Sequence, residues 1–155
     1  MIANLMFSIV DFAARNGITE PGEGVDPKQR ARRTGVKGET YAYWYLRREG
    51  YTPVARNFTA TGVKGEIDIV AYDGPVLAFV EVKTRTGTGP GYARPEEAEN
   101  RDKRRNLTRM ARHFLRSRRI ETAQCRFDVL AIESKPGRKP TVRLYKNAFG
   151  TRLSS

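Results

Sequence analysis

GEIDIVAYDGPVLAFVEVK, residues 65–83, is the stretch on which the fold of this chain turns. Two runs of β-branched and apolar residues flank Asp73-Gly74, a strong short-range signal for a β-hairpin. With Asp73 and Gly74 as the loop, Tyr72 faces Pro75, Asp68 faces Phe79 and Glu66 faces Glu81. Side chains alternate along a strand and opposite residues share a face, so the two faces can be assigned. One carries Ile67, Ile69, Ala71, Val76, Ala78, Val80 and Val82, apolar throughout, and needs a helix against it. The other carries Glu66, Asp68, Glu81 and Lys83.

Three carboxylates and one lysine therefore converge on one side of one hairpin. Two carboxylate charges at about 5 Å and an effective dielectric of 20 repel by roughly 3 kcal/mol. A raised carboxylate pKa, a divalent cation or plain exposure to water would each relieve this, and the pattern of a charged, solvated sheet face is equally compatible with it. Asp on one strand followed by Glu-x-Lys on the next does have a chemistry of its own. Two carboxylates hold Mg²⁺ or Mn²⁺ through oxygen, and the lysine orients or deprotonates a water beside a phosphate.

The hexapeptide before this hairpin, TGVKGE, occurs twice, at residues 34–39 and 61–66. The copies lead into different elements, so they are not a structural repeat, and neither has the spacing of a nucleotide P-loop. Each ends at an acidic residue, Glu39 or Glu66. Lys37 and Lys64 sit on the flanks, where they meet substrate phosphates or simply solvent.

Glu39 opens ETYAYWYLRREG, which reads as a helix stopped by Gly50. Glu39, Ala42, Tyr43 and Leu46 fall on one face, and a first-turn carboxylate also suits the helix dipole. YTPVARNF, residues 51–58, reads as a strand near a sheet edge because of Pro53. TRTGTGPGYARPEE, residues 84–97, is a Gly- and Pro-rich loop expected to form a flap near the site. The helix after it places Leu107, Met110, Ala111, Phe114 and Leu115 on one stripe. Lys103 continues that stripe, as a phosphate clamp or as the partner of a carboxylate. Arg104, Arg105, Arg109, Arg112 and Arg116 project elsewhere and suit phosphate contacts. CRFDVLAIE follows as a strand parallel to the Glu-x-Lys strand, with Phe127 and Asp128 in structural roles. TVRLYKNAF, from residue 141, adds a last strand.

Charge points to the partner. The chain has 29 Lys and Arg against 17 Asp and Glu, a net +12, which fits a polyanion. Residues 101–120 hold nine basic side chains and one acidic, and a solvated helix face would also account for that run. One cysteine and one histidine leave no internal disulfide and almost no route to a triad or a histidine-held metal, and suit a reducing, cytoplasmic setting. A chain of 155 residues fits one domain. MIANLMFSIVDFAARNG at the start is too short to span a bilayer and lacks a basic leader. Ile2, Leu5, Met6, Ile9 and Phe12 recur at helical spacing, as an amphipathic helix or a partly ordered extension, with a signal peptide as the alternative. Gly, Pro and charge mark residues 17–34 as a linker. Residues 1–34 are thus read as extension and linker, and 35–150 as the single folded domain.

The Asp and Glu-x-Lys arrangement resembles the PD-(D/E)xK nuclease superfamily. The ordered series of Gly38-Glu39, the GEID of residues 65–68, FVEVKTR of residues 79–85 and RFDVLAI of residues 126–132 resembles, more closely, the YraN-type family of bacterial proteins. That family is related to archaeal Holliday junction resolvases. The resemblance covers residues 35–147, with Ile67 where the superfamily usually has proline before the motif aspartate. It implies an α/β, restriction-endonuclease-like mixed sheet with an α-β-β-β-α-β core. It makes Asp68 and Glu81 metal ligands joined by Glu39, with Mg²⁺ or Mn²⁺ as cofactor, and Lys83 the catalytic lysine. Lys37, Lys64, Arg85, Lys103, Arg104, Arg105, Arg109 and Arg112 become the candidate nucleic-acid contacts. The resolvase relatives act as dimers, so a homodimer is among the assemblies implied. The leading expectation is a nuclease hydrolysing DNA, branched or flapped. The alternative is a non-catalytic nucleic-acid-binding factor on the same scaffold, and a membrane partner is not expected.

Overall fold

A computed structural model describes residues 1–17, 27–86, 101–135 and 137–149. The elements run α1 (Ile2–Gly17), α2 (Pro27–Arg48), β1 (Thr52–Phe58), β2 (Ile67–Asp73), β3 (Val76–Thr86), α3 (Arg101–Ser117), β4 (Gln124–Ser134) and β5 (Thr141–Tyr145). The expected α-β-β-β-α-β order is present as α2 to β4, with α1 before it and β5 after. The sheet order is β1-β2-β3-β4-β5, so β1 is an edge strand, as Pro53 predicts. Among the described residues, only β3 and β4 pair in parallel, joined through α3 as a crossover connection requires.

The hairpin forms in a different register from the one its loop signal predicts. Asp73 pairs with Val76, Tyr72 with Leu77 and Val70 with Phe79, so Gly74-Pro75 is the loop and Asp68 does not face Phe79. Pro75 has no N–H to give the ladder, and Val76 is the first residue past the turn that can pair. Asp73 gains Arg126 and Lys146 as partners at 2.5 and 2.8 Å. Pairing moves by an even step, so most residues keep the face assigned to them.

Both faces of the sheet are covered. Ile69, Ala71, Ala78, Val80, Leu130 and Ile132 pack under α1 and α2 with Tyr41, Ala42 and Leu46. Val70, Leu77, Phe79, Phe127 and Val129 pack under α3 with Leu107, Met110, Ala111 and Phe114. Each such large side chain, fully buried, contributes on the order of 1.5–3 kcal/mol. Ile67 is the exception to the face assignment. It lies in the α3-side cluster, with Phe58 packed against that cluster, whereas Ile69 lies in the α2-side cluster. The alternation of β2 therefore breaks at Asp68. The neighbouring edge strand has its own irregularity there, since Asn57 adopts φ 49°.

Two boundaries at the N-terminus differ from expectation. α2 starts at Pro27, inside the stretch read as linker, and Pro suits a first helical position. Glu39 thus lies well inside the helix, which removes the first-turn dipole as its explanation. α1 is a helix, but its buried face is not the predicted one. Phe7 and Ala14 enter the core, while Ile2, Leu5, Ile9 and Phe12 are exposed. The orientation follows from two polar anchors: the Tyr41 hydroxyl donates to Asp11 at 2.8 Å, and the Arg48 guanidinium lies 4.0 Å over the Phe7 ring. The expected flap beyond Thr86, the linker over residues 18–26 and the C-terminal residues 150–155 fall outside the described residues.

Candidate metal centre

Gly38 lets Glu39 reach the sheet. It is buried at the point where α2 crosses β3, and a Cβ there would lie 1.9 Å from the Thr84 Oγ1. The second TGVKGE uses its last glycine differently: Gly65 turns the chain into β2 at φ 97°, a conformation L residues rarely adopt. One hexapeptide thus delivers two glutamates to one place for two physical reasons. Oxygens of Glu39, Glu66 and Asp68 all lie within 4.8 Å of one another.

Asp68 sits where β2 changes face, and its Oδ2 accepts the Val82 N–H at 2.7 Å. Its pKa is pushed up to about 7, first by burial and then by the charges of Glu39, Glu81 and Glu66, against the lowering effect of the Val82 hydrogen bond. Burial, and next the Glu66 charge, also raise Glu39. The Arg56 charge and a hydrogen bond from the Asn57 side chain oppose that rise. The irregular residue of β1 is thereby aimed at the acidic group.

The donor set is oxygen only, which suits a hard divalent cation. At about 2.1 Å from Mg²⁺, ligand oxygens stand about 3 Å apart in cis and about 4.2 Å in trans, so the group would draw together on taking an ion. Glu39, Glu66 and Asp68 fit such an ion, as the two expected ligands Glu39 and Asp68 require. Glu66 was placed on this face by the sequence but not named as a ligand. Its signal was the second TGVKGE ending in the same acid as the first.

Glu81, the third expected ligand, is not in that group. It lines the same hollow as Glu66 and Asp68, walled by Phe79, Leu107 and Phe127. Its Oε1 accepts from the Lys103 ammonium at the start of α3. Of the two roles open to Lys103, the structure thus has it paired with a carboxylate. Lys83 follows Glu81 on the same face of β3 and is half-buried.

The expected nucleic-acid residues divide. Lys37, Lys64, Arg105, Arg109 and Arg112 are exposed, and Arg85 is half-buried on β3. Arg104 does not project outward with the other arginines of α3. It is half-buried, with its guanidinium 5.4 Å over the Phe149 ring. Asp128 has the structural role expected of it, held by Arg126 at 2.9 Å and by the Asn147 N–H at 2.9 Å.

A mixed sheet in this strand order, with Asp on one strand and Glu-x-Lys on its neighbour, defines a protein of the restriction-endonuclease-like class. The comparisons with known proteins narrow this further. The chain belongs to the family described as Uncharacterised protein family UPF0102, the YraN family, whose profile matches residues 38–132 and so includes Glu39, Glu66, Asp68, Glu81 and Lys83. It is 43% identical over 118 residues to a UPF0102 protein of Koribacter versatilis, covering 76% of this chain and 79% of that one. It is 44% identical over 119 residues to one of Symbiobacterium thermophilum, covering 77% and 98%. A third, from Desulfosudis oleivorans, is 40% identical over 121 residues, covering 78% and 93%. Among the described residues, no helix is long and apolar enough to cross a membrane.

Proposed function

We propose that this protein is a metal-dependent nuclease that hydrolyses phosphodiester bonds in DNA, with branched or flapped DNA as substrate. The observation that carries the reading is the convergence of Glu39, Glu66 and Asp68 within 4.8 Å, beside the Glu81-x-Lys83 strand. Carboxylates at that spacing repel, and the pKa of Asp68 is raised first by burial and then by the charges of its acidic neighbours. Mg²⁺ or Mn²⁺, when bound, offsets the repulsion, stabilises phosphate charge and acidifies a bound water.

The residues of the chain supply the rest. Val82 fixes the Asp68 carboxylate through its N–H. Glu39 and Glu66 complete an oxygen cradle, and Glu81 joins it from β3. Lys83, on the same strand face, holds the phosphate or takes the proton of the attacking water. Arg105, Arg109 and Arg112 track the DNA backbone, since a net +12 favours phosphate contacts of this kind. Cys125 is a free thiol, in keeping with a cytoplasmic setting. A homodimer belongs to this reading, because cutting both strands of a junction takes two sites.

A cleavage panel of linear, nicked, flapped and four-way DNA with Mg²⁺ or Mn²⁺ tests it. Cleavage of at least one substrate is expected, lost in both Asp68→Asn and Lys83→Ala, with metal binding kept in the lysine variant. DNA binding without cleavage of any substrate would transfer the assignment to the non-catalytic nucleic-acid-binding factor.

A further inference from the structure

We propose that Lys103 is the built-in counter-ion of this centre: its ammonium holds Glu81 until a divalent cation takes the carboxylate and releases the lysine toward a substrate phosphate. The proposal rests on the metal-site reading above and adds an exchange step to it.

Three observations carry it. β2 and β3 are antiparallel, with Ile69 opposite Val80, and the Val82 N–H reaches Asp68, so Asp68 and Glu81 are neighbours across the ladder. Among the described residues, the tight acidic group nevertheless consists of Glu39, Glu66 and Asp68 without Glu81. Glu81 is instead bonded to Lys103, in the first turn of α3.

The pair so formed is asymmetric. The Glu81 side chain is 15% exposed and the Lys103 side chain 45%. The ammonium stands at the rim on a flexible stem, and water can take it back at little cost. The carboxylate is inside, and leaving it charged there without a cation is expensive. The pair is therefore disposed toward exchange: Lys103 leaves when another cation arrives. It follows that Lys103 competes with the metal for Glu81.

Calorimetric titration with Mn²⁺ and with Mg²⁺ reads this competition without any cleavage assay. Lys103→Met keeps the stem and removes the charge. It should tighten divalent binding by about fivefold, the factor that corresponds to a partly exposed ion pair. Lys103→Arg, which keeps the charge, should bind the metal as wild type does. Arg105→Met removes an equal charge from the outer face of the same helix and should change affinity by less than about twofold. In a Glu81→Gln background the effect of Lys103→Met should vanish. The proposal is overturned if Lys103→Met binds no more tightly than wild type, if Arg105→Met tightens binding equally, or if the effect persists without Glu81. Failure of the site itself looks different: neither wild type nor Lys103→Met would take either ion, or Asp68→Asn would bind as wild type does.

Discussion

Gly38→Ala sets two effects of known size against each other. In an unconstrained helix alanine is favoured over glycine by about 0.8–1 kcal/mol, so propensity alone makes this substitution stabilising. At Gly38 the added Cβ would meet Thr84 Oγ1 at 1.9 Å, Thr84 Cβ at 3.0 Å and Thr84 Cγ2 at 3.3 Å. Rotating Thr84 turns the oxygen away but leaves its Cβ, which no rotamer moves, too close for an ordinary contact. The helix itself must lift, and overpacking of this kind costs about 1–3 kcal/mol. The net expectation is destabilisation by about 1–2 kcal/mol, read as a shift in urea midpoint. Glu39 is the next residue, so lifting α2 also draws a carboxylate off the metal centre and should weaken Mn²⁺ binding several-fold. Thr84→Ala removes Oγ1 and Cγ2, leaving only the 3.0 Å approach of its Cβ, and should restore part of each loss. An alanine variant as stable as wild type, with unchanged Mn²⁺ affinity, would refute the claim that this glycine seats α2 on β3.

The folded pKa of Asp68, about 7, lies above the ordinary aspartate value of 3.8, so the folded state holds the proton more tightly than the unfolded one. The resulting penalty is absent below about pH 4, grows as pH rises and is complete above about pH 7, reaching up to about 4 kcal/mol. Metal-free Asp68→Asn should thus melt higher than wild type at pH 8 and alike at pH 4, and a gap that does not change with pH would contradict this. Saturating Mg²⁺ at about 100 times its Kd should return about 2.7 kcal/mol to wild type at pH 8 and little to the variant. Deleting residues 1–17 removes Phe7 from the core and the acceptor of Tyr41, and should lower stability by about 4 kcal/mol or more in a thermal melt. Replacing Arg105, Arg109 and Arg112 with alanine should reduce the log–log salt slope of DNA binding by about 2–3, whereas Arg104→Ala should act on stability through Phe149.

The hairpin was legible because period-two alternation and Asp73-Gly74 are local signals, and α3 because its apolar stripe is narrow and its other faces are charged. Register was not, because the loop signal competes with an effect one residue further on, the missing N–H of Pro75. The orientation of α1 was hidden for another reason. Both of its faces are apolar enough to be buried, and the choice was made by Tyr41 and Arg48, distant in sequence. The acidic centre was half visible: Glu66, Asp68, Glu81 and Lys83 share one face of a hairpin, but Asn57 joins through a left-handed residue of β1 that no periodicity announces. Arg104 looked like its neighbours because charge alone does not reveal the ring of Phe149 beneath it.

The change of face at Asp68 gives the molecule a seam. The apolar layer under α1 and α2 and the layer under α3 are separate clusters, with the sheet between them. The acidic hollow opens where a strand crosses from one layer to the other, with Glu39 arriving from α2 and Glu81 tethered to α3. An ion held there would act as a rivet through the wall. Fastened, it would couple the two layers, so amides on α2 and α3 would slow their exchange with solvent in concert when the cation is added.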